Sequence, residues 1–411
     1  MTFKTTSTKS MKTRVLVISE RFYPEHSTIN DLTSELQKQG LEFDVLTQVP
    51  SYPHGRVSAY PGYRNKLFSV HFWNNIKVYR IMTIEGYHQS KIKKIINYFH
   101  FSIFCSLVVL FIGRKYSKIF VFHSGPLTLA MPALIGKKIF KTTNVIWSTD
   151  LWPDTVYMYG LKRSKLNELL LDWLVKMIYR QFDTIYCSSF AFEKRLQHYV
   201  GTKQIHTLLQ WPQISNEKNG VEKIILEPGY FHFTFAGNIA WTQNLENVIL
   251  GFSLVRKNDF NIKLNVFGVG SDLERLKKIV SEKNIENIYF GGWKPLTEMS
   301  AIYNQSHVLV ISLQPNPVYE LYIPLKFSTY LAYNKPVFAI MNGAVNDITK
   351  VNKIGIIASP SSPEEICKGF ENLRSMDQQE LYQYGQNSAV LLENQFSREK
   401  NINVLFNELK P

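Results

Sequence analysis

The chain has 411 residues, more than a single hydrophobic core usually serves, and its 45% hydrophobic and 19% charged content is that of a globular protein in two domains. The formal net charge of +14 fits nucleic acid, an anionic membrane surface or a phosphorylated small molecule as partner. Cys105, Cys187 and Cys367 are too few and too widely spaced for a disulfide framework, which points to a reducing compartment.

The opening "MTFKTTSTKSMKTR" is polar and basic, without the apolar core of a signal peptide, and its first eleven or so residues read as a disordered tail. "RVLVIS" (14–19) then precedes an amphipathic stretch that opens at Ser27, a helix cap, and closes at Gly40. Strand patterns follow at 43–48, 76–81, 118–124, 144–150 and 184–189, most of them separated by helix-length segments. Near-continuous apolar strands alternating with helices predict a parallel sheet covered on both faces. The segment 205–230 carries Pro, Asn and Gly and no long element, so it reads as an interdomain connection. The pattern restarts with strands at 231–237, 262–268, 287–292, 307–313, 336–341 and 355–359. Two consecutive α/β domains are predicted, and ligands of such sheets bind at the carboxyl ends of the strands.

The stretch "KIKKIINYFHFSIFCSLVVLFIGRKYSK" (91–118) is the most apolar. Ile95 to Ile112 is close to the ~20 residues that span a bilayer. Asn97, His100, Ser102 and Ser106 interrupt it, however, and it lies between two strands of one sheet. Three readings stand: a helix lying in the membrane interface with Lys91, Lys93, Lys94, Arg114, Lys115 and Lys118 near lipid phosphates, a buried helix, or a spanning one.

Four motifs carry candidate chemistry. "FAGNIAWTQNLENVILGF" sets Gly237 and Asn238 at a strand end directly before a helix, where backbone N–H groups can hold a phosphate and where a tight turn is the competing reading. Gly268 and Gly270 lack the third glycine of a dinucleotide fingerprint, and a lone GxG is more often just a turn. Asp150 emerges at a strand end, either toward a ligand or as the cap of the next helix. In "YIPLKFSTYLAYNKPV" Lys326 stands inside an apolar run, and a buried lysine either shifts its pKa or meets an anion. No Asp-x-Asp, metal-ligand spacing, P-loop or GxSxG occurs, so neither a metal nor a cofactor is expected.

Taken in order, these segments resemble the GT-B glycosyltransferases of family 4. They are most similar to the colanic-acid and O-antigen sugar transferases, including N-acetyl-L-fucosaminyltransferases. The resemblance rests on "VLVISERFYPEHSTINDLTSELQKQG", "HSGPLTLAMPAL", "DLWPDTVYMYG", "FAGNIAWTQNLENVI", "YIPLKFSTYLAYNKPV" and "FSREKNINVLFNEL", and covers almost the whole chain. It implies two Rossmann-like domains facing across a cleft, the first at 12–210 with a membrane-interface helix at about 91–115, the second at 211–390, and a final helix at 391–411 crossing back to the first. It implies Lys326 on the donor diphosphate, Gly237 and Asn238 in the nucleotide loop, Trp293 at the base, Asp150 as the carboxylate near the reacting sugar, and Glu25, Ser27 and Thr28 in the phosphate-facing loop of the first domain.

The chain also departs from that pattern. Of the two glutamates eight positions apart, the second position holds Thr329 and the first Leu321, with Glu320 adjacent. Ser27 and Thr28 replace glycine, Leu325 replaces serine, and Gln243 replaces a second basic phosphate ligand. The implied reaction is metal-independent, retaining transfer of a sugar, such as N-acetyl-L-fucosamine, from a UDP-linked donor. The implied acceptor is a polyprenyl-diphosphate-linked sugar of O-antigen or capsule synthesis, on the cytoplasmic face of the bacterial inner membrane. A nucleotide-sugar epimerase of the same two-domain type, a nucleic-acid-binding protein and an inactive family member are the alternatives. Thinly spread Lys and Arg argue against nucleic acid.

Overall fold

The computed structural model describes residues 14–52, 55–87, 90–158, 160–214, 226–255 and 261–410. The expected N-terminal tail and the middle of the 205–230 connection fall outside them. The chain divides into two compact units, one holding residues up to Ser188 with Glu193–Leu208 and Ile402 onward, the other Ser189–Phe192 and Leu209–Asn401.

The first unit is built on β1 (Val15–Ser19), β2 (Phe43–Gln48), β3 (Phe68–Trp73), β4 (Ile76–Ile81), β5 (Lys118–His123), β6 (Thr143–Ser148), β7 (Thr184–Cys187) and β8 (Ile205–Thr207), in the sheet order β3-β4-β2-β1-β5-β6-β7-β8. Its helices are α1 (Thr28–Lys38), α2 (Lys91–Ile112), α3 (Met131–Ile135), α4 (Asp154–Met158), α5 (Lys165–Tyr179) and most of α6 (Phe190–Val200). Every side chain of β1 is buried, as a central strand covered on both faces requires.

Two strands differ from the sequence reading. β3 pairs antiparallel with β4, so this sheet is mixed rather than wholly parallel. Asn74 and Asn75, at φ of 48° and 64°, form the two-residue turn between them. β8, inside the expected connection, pairs parallel with β7.

Helix α2 starts at Ser90, whose hydroxyl accepts the Lys93 N–H at 3.4 Å. Two of its four polar interruptions, Asn97 and Ser102, have hydrogen-bond partners. Asn97 is buried, accepting the Ile84 N–H at 3.0 Å and donating to Gln48 Oε1 at 3.2 Å, and the Ser102 hydroxyl donates to the Thr128 carbonyl at 2.9 Å. With Phe101, Cys105 and Val109 they make the face that packs on the unit. By length and composition α2 could cross a membrane, but this packed polar face ties it along its length to β2, β4 and α3.

The second unit carries β9 (Phe231–Ala236), β10 (Ile262–Phe267), β11 (Ile288–Gly292), β12 (Val308–Ser312), β13 (Val337–Ile340) and β14 (Gly355–Ala358), all parallel, in the order β11-β10-β9-β12-β13-β14. Helices α7 (Leu245–Ser253), α8 (Leu273–Glu282), α9 (Leu296–Gln305), α10 (Leu325–Leu331), α11 (Ala344–Val351), α12 (Pro363–Ser375) and α13 (Gln378–Gln395) join or cover them, and α14 (Arg398–Leu409) ends the described chain. The division near the C-terminus comes at Ile402 rather than at 391, because Leu391 and Phe396 are buried in the core of the second unit with Phe327 and Tyr330.

Candidate active site

Each sheet reverses its winding once, between β1 and β5 in the first and between β9 and β12 in the second. Crevices form where neighbouring crossovers leave a strand end in opposite directions. Both candidate sites lie at those points.

In the second unit, β9 ends at Ala236, directly before Gly237, and Gln314 lies two residues beyond the end of β12. Gln314 donates its backbone N–H to the Thr242 carbonyl at 2.9 Å and its side-chain amide to the Trp241 carbonyl at 3.2 Å. This holds the 3₁₀ turn Trp241–Gln243 beside the strand end. Below it, the Tyr330 hydroxyl accepts the Ala236 N–H at 3.0 Å and donates to the Ala236 carbonyl at 3.3 Å, fastening α10 to the end of β9. Lys326 lies four residues before Tyr330 on the same helix, hence on the same face.

The Lys326 ammonium therefore sits under the first loop. It donates to Gln243 Oε1 at 2.6 Å and lies 3.9 Å from the centre of the Phe235 ring. The stem is partly exposed, but the ammonium is enclosed, and burial pulls its pKa down to about 7. A Cβ on Gly237, whose φ is 144°, would stand 2.9 Å from that ammonium, so any other residue here would strain the backbone and push the lysine head aside. One N–H of the three is used by Gln243, and the remaining donors suit a compact anion.

The other predicted residues are spread around this point. Asn238 is exposed beside Gly237, but α7 begins only at Leu245, after the 3₁₀ turn, so the loop does not feed a helix directly. Gly268 and Gly270 serve close packing: a Cβ on either would overlap the carbonyl of Gly237 or Ile239, so they let the second loop press against the first. Trp293, just beyond β11, is 68% exposed, a flat apolar face open to a ligand. Glu320 lies in the turn Tyr319–Leu321 and accepts from the Asn342 amide at 3.3 Å. Thr329 is buried, donating to the Leu325 carbonyl at 3.3 Å and accepting the Gln213 N–H at 3.4 Å, so its hydroxyl is engaged with backbone. Pro324 immediately precedes α10, whose first residue is Leu325.

In the first unit, a cavity of about 400 Å³ opens where β1, β5 and β6 end. Its polar wall is formed by Glu20, Arg21, Lys94 and Asp150. Asp150 accepts the Leu151 N–H at 2.9 Å, and α4 begins four residues later, so Asp150 is not that helix's cap. Glu20 accepts the Tyr87 hydroxyl at 3.2 Å, and a Cβ on Gly125 would run into its carboxylate. Arg21 lies 3.7 Å from the centre of the Tyr52 ring, and its Nε is buried without a hydrogen-bond partner among the described residues. The loop that holds Glu25, Ser27 and Thr28 is tied through Glu25 to the backbone of Ser51 and Tyr52. The buried Glu25 carboxylate accepts the backbone N–H groups of Ser51 and Tyr52 at 2.6 and 2.7 Å. Burial raises its pKa in spite of those bonds. Ser27 precedes α1 in extended conformation without a side-chain capping bond, and Thr28 is buried. Among the described residues, no group of three or more His, Cys, Asp or Glu side chains converges as a metal site.

Sequence reading passed over Glu20, Arg21 and a second apolar helix face. On α2, Ile92, Ile96, Phe99, Ile103 and Phe111 are exposed, Phe111 by 86%. On α5, Leu166, Leu169, Leu170 and Trp173 are exposed at helical spacing. The signal in the sequence was that i, i+3, i+4, i+7 stripe, which usually marks a face turned to the core.

Residues 218–389, which contain Gly237, Gln243 and Lys326, match the family model described as "Glycosyl transferases group 1". A protein of Methanocaldococcus jannaschii named "Uncharacterized glycosyltransferase MJ1069" is 22% identical over 403 residues, covering 94% of this chain and 96% of that protein. Among solved structures, sucrose-phosphate synthase from Thermosynechococcus elongatus superposes with a TM-score of 0.72 at 13% identity, over 97% of this chain and 99% of the other. An E. coli structure described as "Trehalose-6-phosphate from E. coli bound with UDP-2-fluoro glucose" gives 0.71 at 10% identity, over 97% and 99%.

Proposed function

We propose that this chain, a glycosyltransferase of the GT-B fold, moves a sugar from a UDP-linked donor to a polyprenyl-diphosphate-linked acceptor in bacterial surface polysaccharide synthesis. The observation that carries the donor half is the enclosed Lys326 ammonium at the winding reversal of the second sheet. The leaving group of such a transfer is a nucleoside diphosphate that gains negative charge in the transition state. A lysine that loses its proton at about pH 7 when alone regains it beside that charge. Gln243 and the face of Phe235 hold the ammonium in place before the donor arrives. Trp293 offers a stacking face for the base, and Glu320 lies in the turn before α10 for the sugar hydroxyls. The ligand of the E. coli neighbour, a UDP-sugar analogue, supports UDP as the nucleotide.

With no carboxylate clearly placed as nucleophile, front-side attack with retention is the route, the departing phosphate taking the acceptor's proton. Lysine charge and backbone N–H groups take the place of a metal ion. An N-acetylated amino sugar such as N-acetyl-L-fucosamine is the proposed donor sugar, by resemblance of the motifs. The apolar face of α2 and its flanking lysines support a peripheral position on the cytoplasmic face of the inner membrane. A panel of UDP-sugars incubated with the purified protein tests the reading. Slow hydrolysis of one N-acetylamino donor, with release of UDP, is expected. No UDP release from any donor, together with no UDP binding by calorimetry, overturns it.

A further inference from the structure

The first sheet ends in an open edge. β3 stands last in its strand order, and β4 is the strand that pairs with it. Among the described residues, no backbone hydrogen bond reaches Phe68–Trp73 beyond that ladder. In an antiparallel pair every second residue turns its N–H and C=O away from the partner strand, so half of β3 presents these groups outward. Edge strands are usually protected by lysine, proline or a bulge. β3, with the sequence FSVHFW and a regular register on β4, has none of them. Phe68, Val70 and Phe72 alternate along one side and are exposed by 44%, 44% and 69%. Leu67, just before them, is half exposed. Phe68 lies against the Tyr79 ring of β4, the centroids 6.1 Å apart, so the row is packed on its inner flank.

We propose that β3 pairs antiparallel with β3 of a second copy of this chain, about a two-fold axis through Val70. The inference is independent of the donor and acceptor readings. Phe-Ser-Val-His-Phe reads apolar, polar, apolar, polar, apolar in both directions from Val70. With Val70 opposite Val70 of the copy, Phe68 meets Phe72 and Ser69 meets His71, so like meets like on each side of the sheet. Within one chain the Ser69 hydroxyl and His71 Nε2 already lie 3.2 Å apart, which shows the two groups suit each other. No charge faces a like charge. β3 carries no lysine, arginine or carboxylate, and Lys66 falls opposite Asn74 in this register. Lys77, on β4, keeps its ammonium 5.9 Å from the centre of the Phe72 ring. A lipid surface suits the edge less well, because hydrocarbon leaves the open N–H and C=O groups unsatisfied. A second strand satisfies them and covers the apolar row together. Taking ~150–250 Å² for each aromatic side chain, the exposed parts of Phe68 and Phe72 with Leu67 and Val70 give roughly 400 Å² per copy, about half the ~800 Å² per partner of a standard complex. The dimer is therefore weak and reversible.

Sedimentation velocity on the full chain from ~5 to ~200 µM tests this. A monomer–dimer equilibrium is expected. It should tighten as salt rises, because two copies of net charge +14 repel each other and salt screens that repulsion. Val70→Lys, at an exposed position, sets two ammonium groups opposite each other on the axis and should weaken the dimer at least ~10-fold. Cross-linking under mild oxidation reads the register. Residues directly opposite stand ~4.5–5.5 Å apart at Cα, within disulfide range. Cys105, Cys187 and Cys367 are buried and do not compete. Val70→Cys should form a covalent dimer by itself, whereas Phe68→Cys and Phe72→Cys should cross-link only when mixed with each other. A chain that stays monomeric at every concentration overturns the proposal, as does a dimer that Val70→Lys leaves intact. Phe68→Cys joining to itself as readily as to Phe72→Cys means another register and equally overturns it. Binding to neutral phosphatidylcholine vesicles that Val70→Lys abolishes, without any self-association, would assign the row to lipid instead.

Discussion

The ammonium of Lys326 donates to Gln243 Oε1 at 2.6 Å, although the two residues are 83 positions apart in the chain. The lysine and the glutamine are the two residues to which the motif resemblance assigned the diphosphate ligand and the replacement of a second cation. The neutral partner leaves the lysine's charge without an anion among the described residues, the state that the diphosphate of the proposed donor would correct.

Removing that charge should slow transfer while sparing the fold. A charge-assisted hydrogen bond is worth about 1.5–3 kcal/mol, so Lys326→Ala should lower kcat/KM by about 10–100-fold at about 1.4 kcal/mol per decade. Lys326→Arg should restore part of it, because a planar fork replaces a point charge. A folded Lys326→Ala protein with near-normal transfer would mean that the lysine only lies along the surface by its stem.

The pH dependence has a definite sign. Burial sets the free Lys326 pKa at about 7, below its ordinary 10.5, and a neighbouring diphosphate raises it again. Binding of UDP then takes up a proton, so affinity should fall as pH rises from about 7 to about 9, by at most about tenfold per unit. Lys326→Arg, always charged, and Lys326→Ala, never charged, should both flatten the curve in titration calorimetry. Without donor, the same depressed pKa makes this group's contribution to stability rise with pH from about 7 towards 10.5, because the unfolded chain holds the proton longer.

Gly237 should tolerate no side chain. At φ 144° and 2.9 Å from the Lys326 ammonium, an added Cβ both strains the backbone and displaces the charge. Gly237→Ala should cost about 1–3 kcal/mol of stability and weaken UDP binding at least as much as Lys326→Ala. Unchanged UDP affinity in the alanine variant would separate the loop from the donor site.

Transfer should survive EDTA, since no Asp-x-Asp occurs and no convergent ligand group is found among the described residues. Activity abolished by EDTA and restored by Mg²⁺ or Mn²⁺ would show that the diphosphate is held by a metal ion and not by Lys326.

Phe99 and Ile103 are more than half exposed on α2, so replacing them should leave folding intact. The protein should sediment with anionic vesicles and be only partly released by salt, because Lys charge and apolar insertion both contribute. Phe99→Asp with Ile103→Asp should abolish sedimentation. Persistent binding by that double variant would move the contact elsewhere.

Much of this molecule was legible from periodicity. Alternating apolar strands and helices gave two α/β units, because a strand buried on both faces must be apolar along its whole length. Lys326 was visible as an anomaly, one charge inside an apolar run, since burial cost can be judged from immediate neighbours. The hairpin strand Phe68–Trp73 was present as an alternating run before Asn74-Asn75, but its weak alternation of exposed and half-covered residues sits on an open edge. What only the tertiary structure decided were relations across long separations. Gln243 meets Lys326, Gly268 presses on Gly237, and Glu20, Lys94 and Asp150 converge on one cavity, each set joined by strand order, not by spacing. The same holds for α5. Its apolar stripe has the pattern of a core face, and a helical pattern specifies which residues share a side but not what lies opposite. Whether that side meets other side chains or is left exposed depends on which elements the whole fold places beside it.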